Sequence, residues 1–304
     1  MHPGPLFAAM VLMGAISPVA LPQNSSATAP VRESQEATSQ PPPLPSDPNQ
    51  FVHQAIRHEL EEQDHDQTLW RYRLHREDDK NNVDRDVIET HEGQLSKTLL
   101  LWGKPLNAQE RETDEERMQQ QISDPDERAR HEKREKEDGV KARQMLSLIP
   151  EAFNFRYAGE ENGLVKLAFV PNPHFDPPNF EAKVYKSLKG ILWIERDSMR
   201  LAGIDGTLFE DVNFGWGLLG HLNKGGTFCV RQKDVGDGHW DVVSEEVNMV
   251  GRAVIFKTIT RKQKQSRTDW RRVPDSITIQ QAYQMLERDP GSLPHSQDTS
   301  ELRR

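Results

Sequence analysis

The chain has 304 residues, of which 35% are hydrophobic and 29% are charged, and its formal net charge is −9 at neutral pH. This acidic balance argues against a nucleic-acid partner, because a phosphate-binding surface requires an excess of Lys and Arg. The single cysteine, Cys229, excludes an intrachain disulfide and a cysteine-rich zinc site. The low hydrophobic content predicts one ordered domain with unfolded segments around it.

The first 22 residues are typical of a secretory signal peptide. The apolar run from Leu6 to Ile16 is too short to span a bilayer and suits an h-region, although no Lys or Arg precedes it. Residues 23–48 are rich in Ser, Gln and Pro and predict a disordered linker, and residues 289–304 predict a disordered tail. We expect export to a bacterial periplasm or cell envelope, with peripheral membrane contact at most.

Residues 49–288 predict one domain, which opens with a helix and a meander of strands. Val52, Ile56 and Leu60 recur every four residues and mark the apolar face of the helix. Alternating apolar and polar residues then predict strands at residues 68–76, 83–90 and 94–102.

A charged segment, residues 107–147, interrupts the strand pattern. The sequence Asp124-Pro125-Asp126 predicts two helices that meet there, since proline suits the first turn of a helix. The sparse apolar residues do not form a heptad seam. A coiled-coil docking arm is one interpretation, and a solvated helical insertion stabilised by i,i+4 ion pairs is the favoured one.

The strand pattern resumes after this segment and centres on a hairpin between Ala182 and Leu208. Ile191, Leu192, Trp193 and Ile194 are consecutive and apolar, so this strand is expected to be covered on both faces. The polar residues 195–198 reverse the chain. Further strands are expected at residues 153–157, 164–170, 226–235, 239–249, 252–260 and 268–273, followed by a helix at 277–286.

Short connections make these strands antiparallel, and a large twisted antiparallel sheet tends to curl. The predicted fold class is therefore α+β, a curved antiparallel half-barrel with short helices and the charged helical insertion.

The sequence contains no convincing catalytic or metal-binding motif. His58-Glu59 begins like a zinc-protease helix, but Glu62 occupies the position of the second histidine. His174 and Asp176 lack a third ligand nearby in sequence. We therefore predict neither catalytic nor metal-binding residues, and no cofactor.

The hairpin resembles one family. Gly190-Ile191-Leu192-Trp193-Ile194-Glu195, a turn, Arg200-Leu201 and Ile204-Asp205-Gly206 resemble the hairpin G-x-x-W-I-D, turn, R-L-x-x-I-x-G of the outer-membrane lipoprotein-sorting family, the LolA/LolB-like proteins. Glu195 stands where that family has aspartate. The resemblance implies a curved sheet around a hydrophobic cavity, helices that close it, and a role in carrying the acyl chains of lipoproteins.

The first functional hypothesis is a non-enzymatic protein that binds an acyl chain, a lipoprotein or another apolar ligand in the concave face of the sheet. The alternative is a structural or interaction module whose sheet is filled by its own side chains and whose charged helices dock a partner. A hydrolase is the third hypothesis, and it would require a buried carboxylate pair in a cleft. The expected lining residues under the first hypothesis are Leu192, Ile194, Leu201, Phe228, Val230 and Val242.

Overall fold

The computed structural model describes residues 44–214, 220–253 and 257–288. The fold is α+β, with helices packed on an open antiparallel sheet. The predicted signal peptide, most of the linker and the predicted tail lie outside the described residues. The chain divides into two compact units. The first comprises Met1–Thr68 and Lys133–Lys264, and the second comprises Leu69–Glu132 and Gln265–Arg304.

The helices are α1 (Pro48–His65), α2 (Ala108–Ser123), α3 (Pro125–Ala152) and α4 (Ile279–Arg288). Asp47 caps α1 by accepting a hydrogen bond from Asn49 N at 2.9 Å, and Pro48 occupies the first turn. Asn107 and Glu110 form a capping box at the start of α2. As the sequence predicts, two helices meet at Asp124. Among the described residues, no helix combines the length and the apolar character needed to span a membrane.

The strands of the described residues follow in chain order. They are β1 (Leu69–Asp78), β2 (Asn82–Ile88), β3 (Leu95–Leu101), β4 (Lys104–Pro105), β5 (Phe153–Glu161), β6 (Leu164–Pro171), β7 (Leu188–Glu195), β8 (Leu201–Leu208), β9 (Val212–Phe214), β10 (Gly220–Leu222), β11 (Thr227–Gly236), β12 (His239–Ala253) and β13 (Lys257–Val273). The strand expected at residues 252–260 includes 254–256, which lie outside the described residues, and its ends belong to β12 and β13.

In the first unit the strands are ordered β12-β11-β8-β7-β6-β5, with β9 and β10 attached through β12. The predicted hairpin is β7 and β8, which lie in the middle of this order. Gly190 is paired with Gly206 and Leu192 with Ile204 across the two strands. A 3-10 helix, Glu181–Ser187, leads into β7.

The core of the first unit lies between one face of this sheet and two helices. α1 contributes Phe51, Val52, Ala55 and Ile56, all at most 2% exposed. The end of α3 contributes a second apolar face. Its buried members are Met145, Leu146, Ile149 and Ala152.

In the second unit the strand order is β4-β3-β2-β1-β13. One face of this sheet packs against α2 and α4. The buried residues of this cluster are Leu69, Ile88, Leu95, Met118, Val273, Ile277, Ile279, Ala282 and Leu286. Trp70, Tyr72 and Val87 form a separate aromatic cluster, with Trp270 packed against it.

Side chains of α2 form hydrogen bonds with backbone groups along the edge of β3. Strand β4 ends at Pro105, which lacks the N–H needed to continue the ladder, and pairs only with Leu100 and Leu101. Beyond that point α2 supplies hydrogen-bond donors and acceptors from residues three and four positions apart. They bond to every second residue from Thr98 back to Gln94, which directly precedes β3. The hydrogen bonds are Thr98 N to Asp114 Oδ2 at 2.8 Å, Arg117 Nη2 to Ser96 O, and Gln121 Nε2 to Gln94 O at 2.6 Å.

Candidate functional site

The six expected lining residues all lie in the core of the first unit. Their exposed fractions run from 0 to 7%, and they belong to one cluster with the apolar faces of α1 and α3. They are Leu192, Ile194, Leu201, Phe228, Val230 and Val242. The structure therefore brings them together on one face of the sheet, and places two helices of the same chain over that face.

Two glycines of the hairpin make room for aromatic rings on this face. Phe169 is paired with Gly190, Gly190 with Gly206, and Gly206 with Phe228, so two rings flank two glycines across four strands. A Cβ atom on Gly206 would lie 2.1 Å from Cε1 of Phe228, and one on Gly190 would lie 1.7 Å from the carbonyl oxygen of Asp205. These glycines are required by close approach of neighbouring atoms.

A buried polar cluster fixes the second half of α1 above the same sheet. Glu59 is 0% exposed and faces Arg200, whose side chain is 7% exposed, at the start of β8. The guanidinium also lies over the ring of Trp240, 5.6 Å from its centroid. The donors to the Glu59 carboxylate are Arg200 Nε at 2.8 Å, Arg200 Nη2 at 3.4 Å, Leu201 N at 3.2 Å, Gln232 Nε2 at 2.8 Å and Gln63 Nε2 at 3.0 Å.

Because Glu59 accepts from donors on α1, β8 and β11, it is suited to positioning rather than to proton transfer. A carboxylate buried without such partners would be strongly unfavourable. We therefore interpret it as the polar anchor of α1. The sequence alone shows Glu59 only as part of an incomplete zinc-protease motif.

A second polar cluster follows at the end of α1. Asp66, which caps the helix C-terminus, lies with its Oδ2 2.5 Å from Nδ1 of His239 at the start of β12. Nε2 of the same ring lies 3.7 Å from Oδ2 of Asp241. Thr68 donates from its hydroxyl to Asp66 Oδ1 at 2.6 Å. The imidazole is thus held between two carboxylates.

This arrangement favours a charged imidazolium. Burial lowers the pKa of His239, but Asp241 and Asp66 outweigh burial and raise it to about 9. Burial likewise opposes ionisation of Asp66, but hydrogen bonds from His239 and Thr68 hold the pKa of that carboxyl well below its usual range. At neutral pH the cluster is therefore an ion pair that ties α1 to β12.

Other residues of the hairpin lie on the opposite face of the sheet. Trp193 donates from Nε1 to Asp205 at 3.1 Å, and Arg231 binds both oxygens of the same carboxylate at 2.8 and 2.9 Å. Lys166 and Arg231 lie over the Trp193 ring, with their cationic centres 4.7 and 5.7 Å from its centroid. Burial, with help from Asp205, raises the pKa of the Cys229 thiol to about 11, so it is a protonated thiol at neutral pH.

Comparison with protein-family models, curated proteins and solved structures gave no match.

The other candidate catalytic and metal-binding residues of the sequence do not form a site among the described residues. Among the described residues, no group of three or more His, Cys, Asp and Glu side chains is arranged to hold a metal ion. His174 is exposed in the loop after β6. Sequence reasoning missed the pairing of Glu59 with Arg200 and of Asp66 with His239. The signal that could have found Glu59 is its position on the apolar face of α1, three residues after Ile56 and seven after Val52.

Proposed function

We propose that the chain is an exported, non-enzymatic structural or interaction protein of the bacterial cell envelope. The observation that supports this proposal is the packing of the sheet face on which a ligand would lie. Its six expected lining residues are at most 7% exposed and belong to one core cluster with residues of α1 and α3. The apolar surface is thereby used for folding, which leaves polar surfaces for recognition.

The proposed docking surface is the exposed, charged part of α3 ahead of its buried end. Lys133, Arg134, Glu137 and Asp138 are exposed, and Val140 is 57% exposed among them. A surface of mixed charge selects partners by electrostatic complementarity and influences the rate of association more than the affinity. α2 is a poorer choice, because one side of it is occupied by the edge of β3.

Charge reversal at Lys133 and Arg134 tests this proposal. Deleting residues 107–147 would remove buried residues such as Met145, so substitution is the cleaner perturbation. We expect the variant with both Lys133→Glu and Arg134→Glu to lose its crosslinks to the partner. The measurement is crosslinking in isolated envelopes, quantified by mass spectrometry. The matched control reverses Glu112 and Glu116, which are exposed on α2. Equal crosslinking by all three proteins would refute the docking surface.

Deletion of residues 1–22 should retain the chain in the cytoplasm.

A second function, a LolA-like half-barrel that carries an acyl chain, is supported by how α1 is anchored. The helix covers the expected lining residues, and its anchors to Arg200 and His239 are polar and lie in its second half. Releasing these contacts would uncover apolar side chains, and each buried CH₂ of a ligand would contribute about 0.8 kcal/mol.

Native mass spectrometry and binding of a fluorescent fatty acid test this second function. If α1 must move to admit the chain, Glu59→Gln should bind the fatty acid more tightly than the unmodified protein. An apo mass and an absence of binding in both proteins would rule out the carrier function and leave the interaction module.

A further inference from the structure

The hairpin between β3 and β4 in the second unit presents an exposed tryptophan at its tip. Trp102 and Gly103 form a two-residue turn, and Leu101 is paired with Lys104 across it. The indole of Trp102 is 61% exposed, the largest exposed fraction among the large apolar side chains of the described residues. A ring in this position contributes little to the core of the unit.

The backbone at Trp102 has a conformation that tryptophan seldom adopts. Its φ is +54° and that of Gly103 is +70°, the pair of positive values found in type I′ turns. Asparagine, aspartate or glycine is usual at the first of these positions, because a bulky side chain there is strained. The amide of Trp102 donates to Asn82 O at 2.8 Å, so the strained turn is part of the ordered sheet. Strain kept at an exposed aromatic residue indicates a role outside folding.

Three leucines lead into this tip along β3. Residues 99–101 are half-buried, and neither of the apolar clusters described for this unit includes them. Pro105 follows the turn on the outermost strand and lacks an N–H group, so this edge is poorly suited to adding a strand from a protein partner. The tip therefore offers apolar side chains without offering a strand edge.

Charged side chains are exposed around the tip. Lys104 follows the turn directly. The turn between β1 and β2 lies alongside, because Asn82, which begins β2, accepts the amide hydrogen of the tip residue. Lys80, Glu77 and Asp79 are exposed there, so these four charges balance. A tryptophan beside lysine is typical of the surface of a bilayer, where the ring lies among the headgroups and the ammonium group reaches lipid phosphates.

We propose that the tip of this hairpin binds the surface of a phospholipid bilayer. Trp102 enters the headgroup region, the half-buried leucines follow it, and the ammonium group of Lys104 pairs with lipid phosphates. Because the exposed charges balance, the apolar side chains contribute more than the net charge does. This surface is separate from the docking surface on α3 and from the apolar face beneath α1, and it depends on neither proposed function.

Vesicles of phosphatidylethanolamine and phosphatidylglycerol with brominated acyl chains test the proposal, since bromine quenches a tryptophan that it contacts. The purified full chain should sediment with the vesicles at about 1 mM lipid and lose part of its tryptophan fluorescence. Trp102→Asn should lower partitioning about tenfold and remove the quenching. Val140→Asn is the matched control, because Val140 is 57% exposed on α3, and it should partition normally.

Urea unfolding of the same variant separates membrane binding from folding. Trp102→Asn should raise the midpoint by about 0.3 M, because asparagine adopts a positive φ at lower cost. A lower midpoint would assign Trp102 to folding and overturn the proposal. Partitioning that is absent, or equal with and without Trp102, would also overturn it.

Two further measurements test the remaining contacts. Lys104→Gln should weaken partitioning into the same vesicles about fivefold, and unchanged partitioning would refute the phosphate contact. Analytical ultracentrifugation without lipid should show the same mass for the unmodified protein and for Trp102→Asn. Self-association that is lost in the variant would assign the tip to a second copy of the chain and refute the bilayer.

Discussion

Replacing Glu59 by Gln tests whether the carboxylate is the polar anchor of α1. The change keeps the size of the side chain, removes its charge and turns an NH₂ group toward donors that previously had an acceptor. Arg200, with 7% of its side chain exposed, would lose the buried carboxylate at 2.8 Å and keep only Glu62, which is 45% exposed and lies 3.9 Å from Nη1. Breaking a buried ion pair by changing one partner costs about 3–5 kcal/mol, and we expect a loss of this size.

Urea unfolding followed by circular dichroism measures the loss. With a slope of about 3 kcal/mol/M, a cost of 3 kcal/mol lowers the midpoint by about 1 M. Native-state hydrogen exchange should show the largest loss of protection in α1, because the broken contacts lie there. These two measurements together separate a local release of the helix from general destabilisation.

Asp64→Asn is the matched control. Its partner is Arg143 at 2.9 Å, and the side chains are 61% and 31% exposed. An exposed pair contributes at most about 1 kcal/mol, so the control should be nearly neutral. A Glu59→Gln cost equal to that of Asp64→Asn would refute the anchoring role. A double variant, Glu59→Met with Arg200→Met, should recover part of the loss because no uncompensated charge remains.

Three further predictions follow from contacts described above. Gly206→Ala should cost about 1–3 kcal/mol in thermal unfolding through its contact with Phe228, and Phe228→Leu should recover part of it; additive effects would contradict this explanation. His239 has a pKa raised from 6.5 to about 9, so its contribution is complete below pH 6.5 and is lost as pH rises through 9. The unfolding free energy should therefore fall by up to about 3 kcal/mol over that interval, and His239→Gln should remove this dependence. Asp114→Ala should cost about 1–3 kcal/mol, because the edge amide of Thr98 loses its acceptor, and amide exchange should report faster exchange at Thr98; unchanged exchange would mean that water replaces the carboxylate.

The hairpin could be predicted from the sequence because its determinants are local. The apolar run at 191–194 and the polar turn after it specify β7, the reversal and β8, and the structure places them in the middle of the first unit's strand order. The two helices that meet at Asp124 were also predictable, because proline at a helix start acts within one turn.

The polar anchors could not be predicted, because their partners are distant in sequence. Glu59 and Arg200 are 141 residues apart, and Asp66 and His239 are 173 apart. In a chain with 48 acidic residues, the position of Glu59 on the apolar face of α1 indicates burial, but no local property identifies its partner. The apolar pattern likewise selected the six expected lining residues without deciding which strand face points inward. The structure places all six in one core, and whether such a face surrounds a ligand or a helix depends on tertiary packing.

The contact of α2 with β3 determines which substitutions this helix tolerates. A helix that packs through apolar residues accepts most side chains of similar volume, because dispersion has little directional preference. Here the contact requires an acceptor at 114 and donors at 117 and 121, which are constrained by chemistry and not by size. Exchanging Asp114 for Leu would fill the same space and still leave an unsatisfied strand edge, the kind of surface on which a second chain can add a strand. The charged and polar residues of α2 therefore cover a strand edge to which another chain could otherwise add a strand.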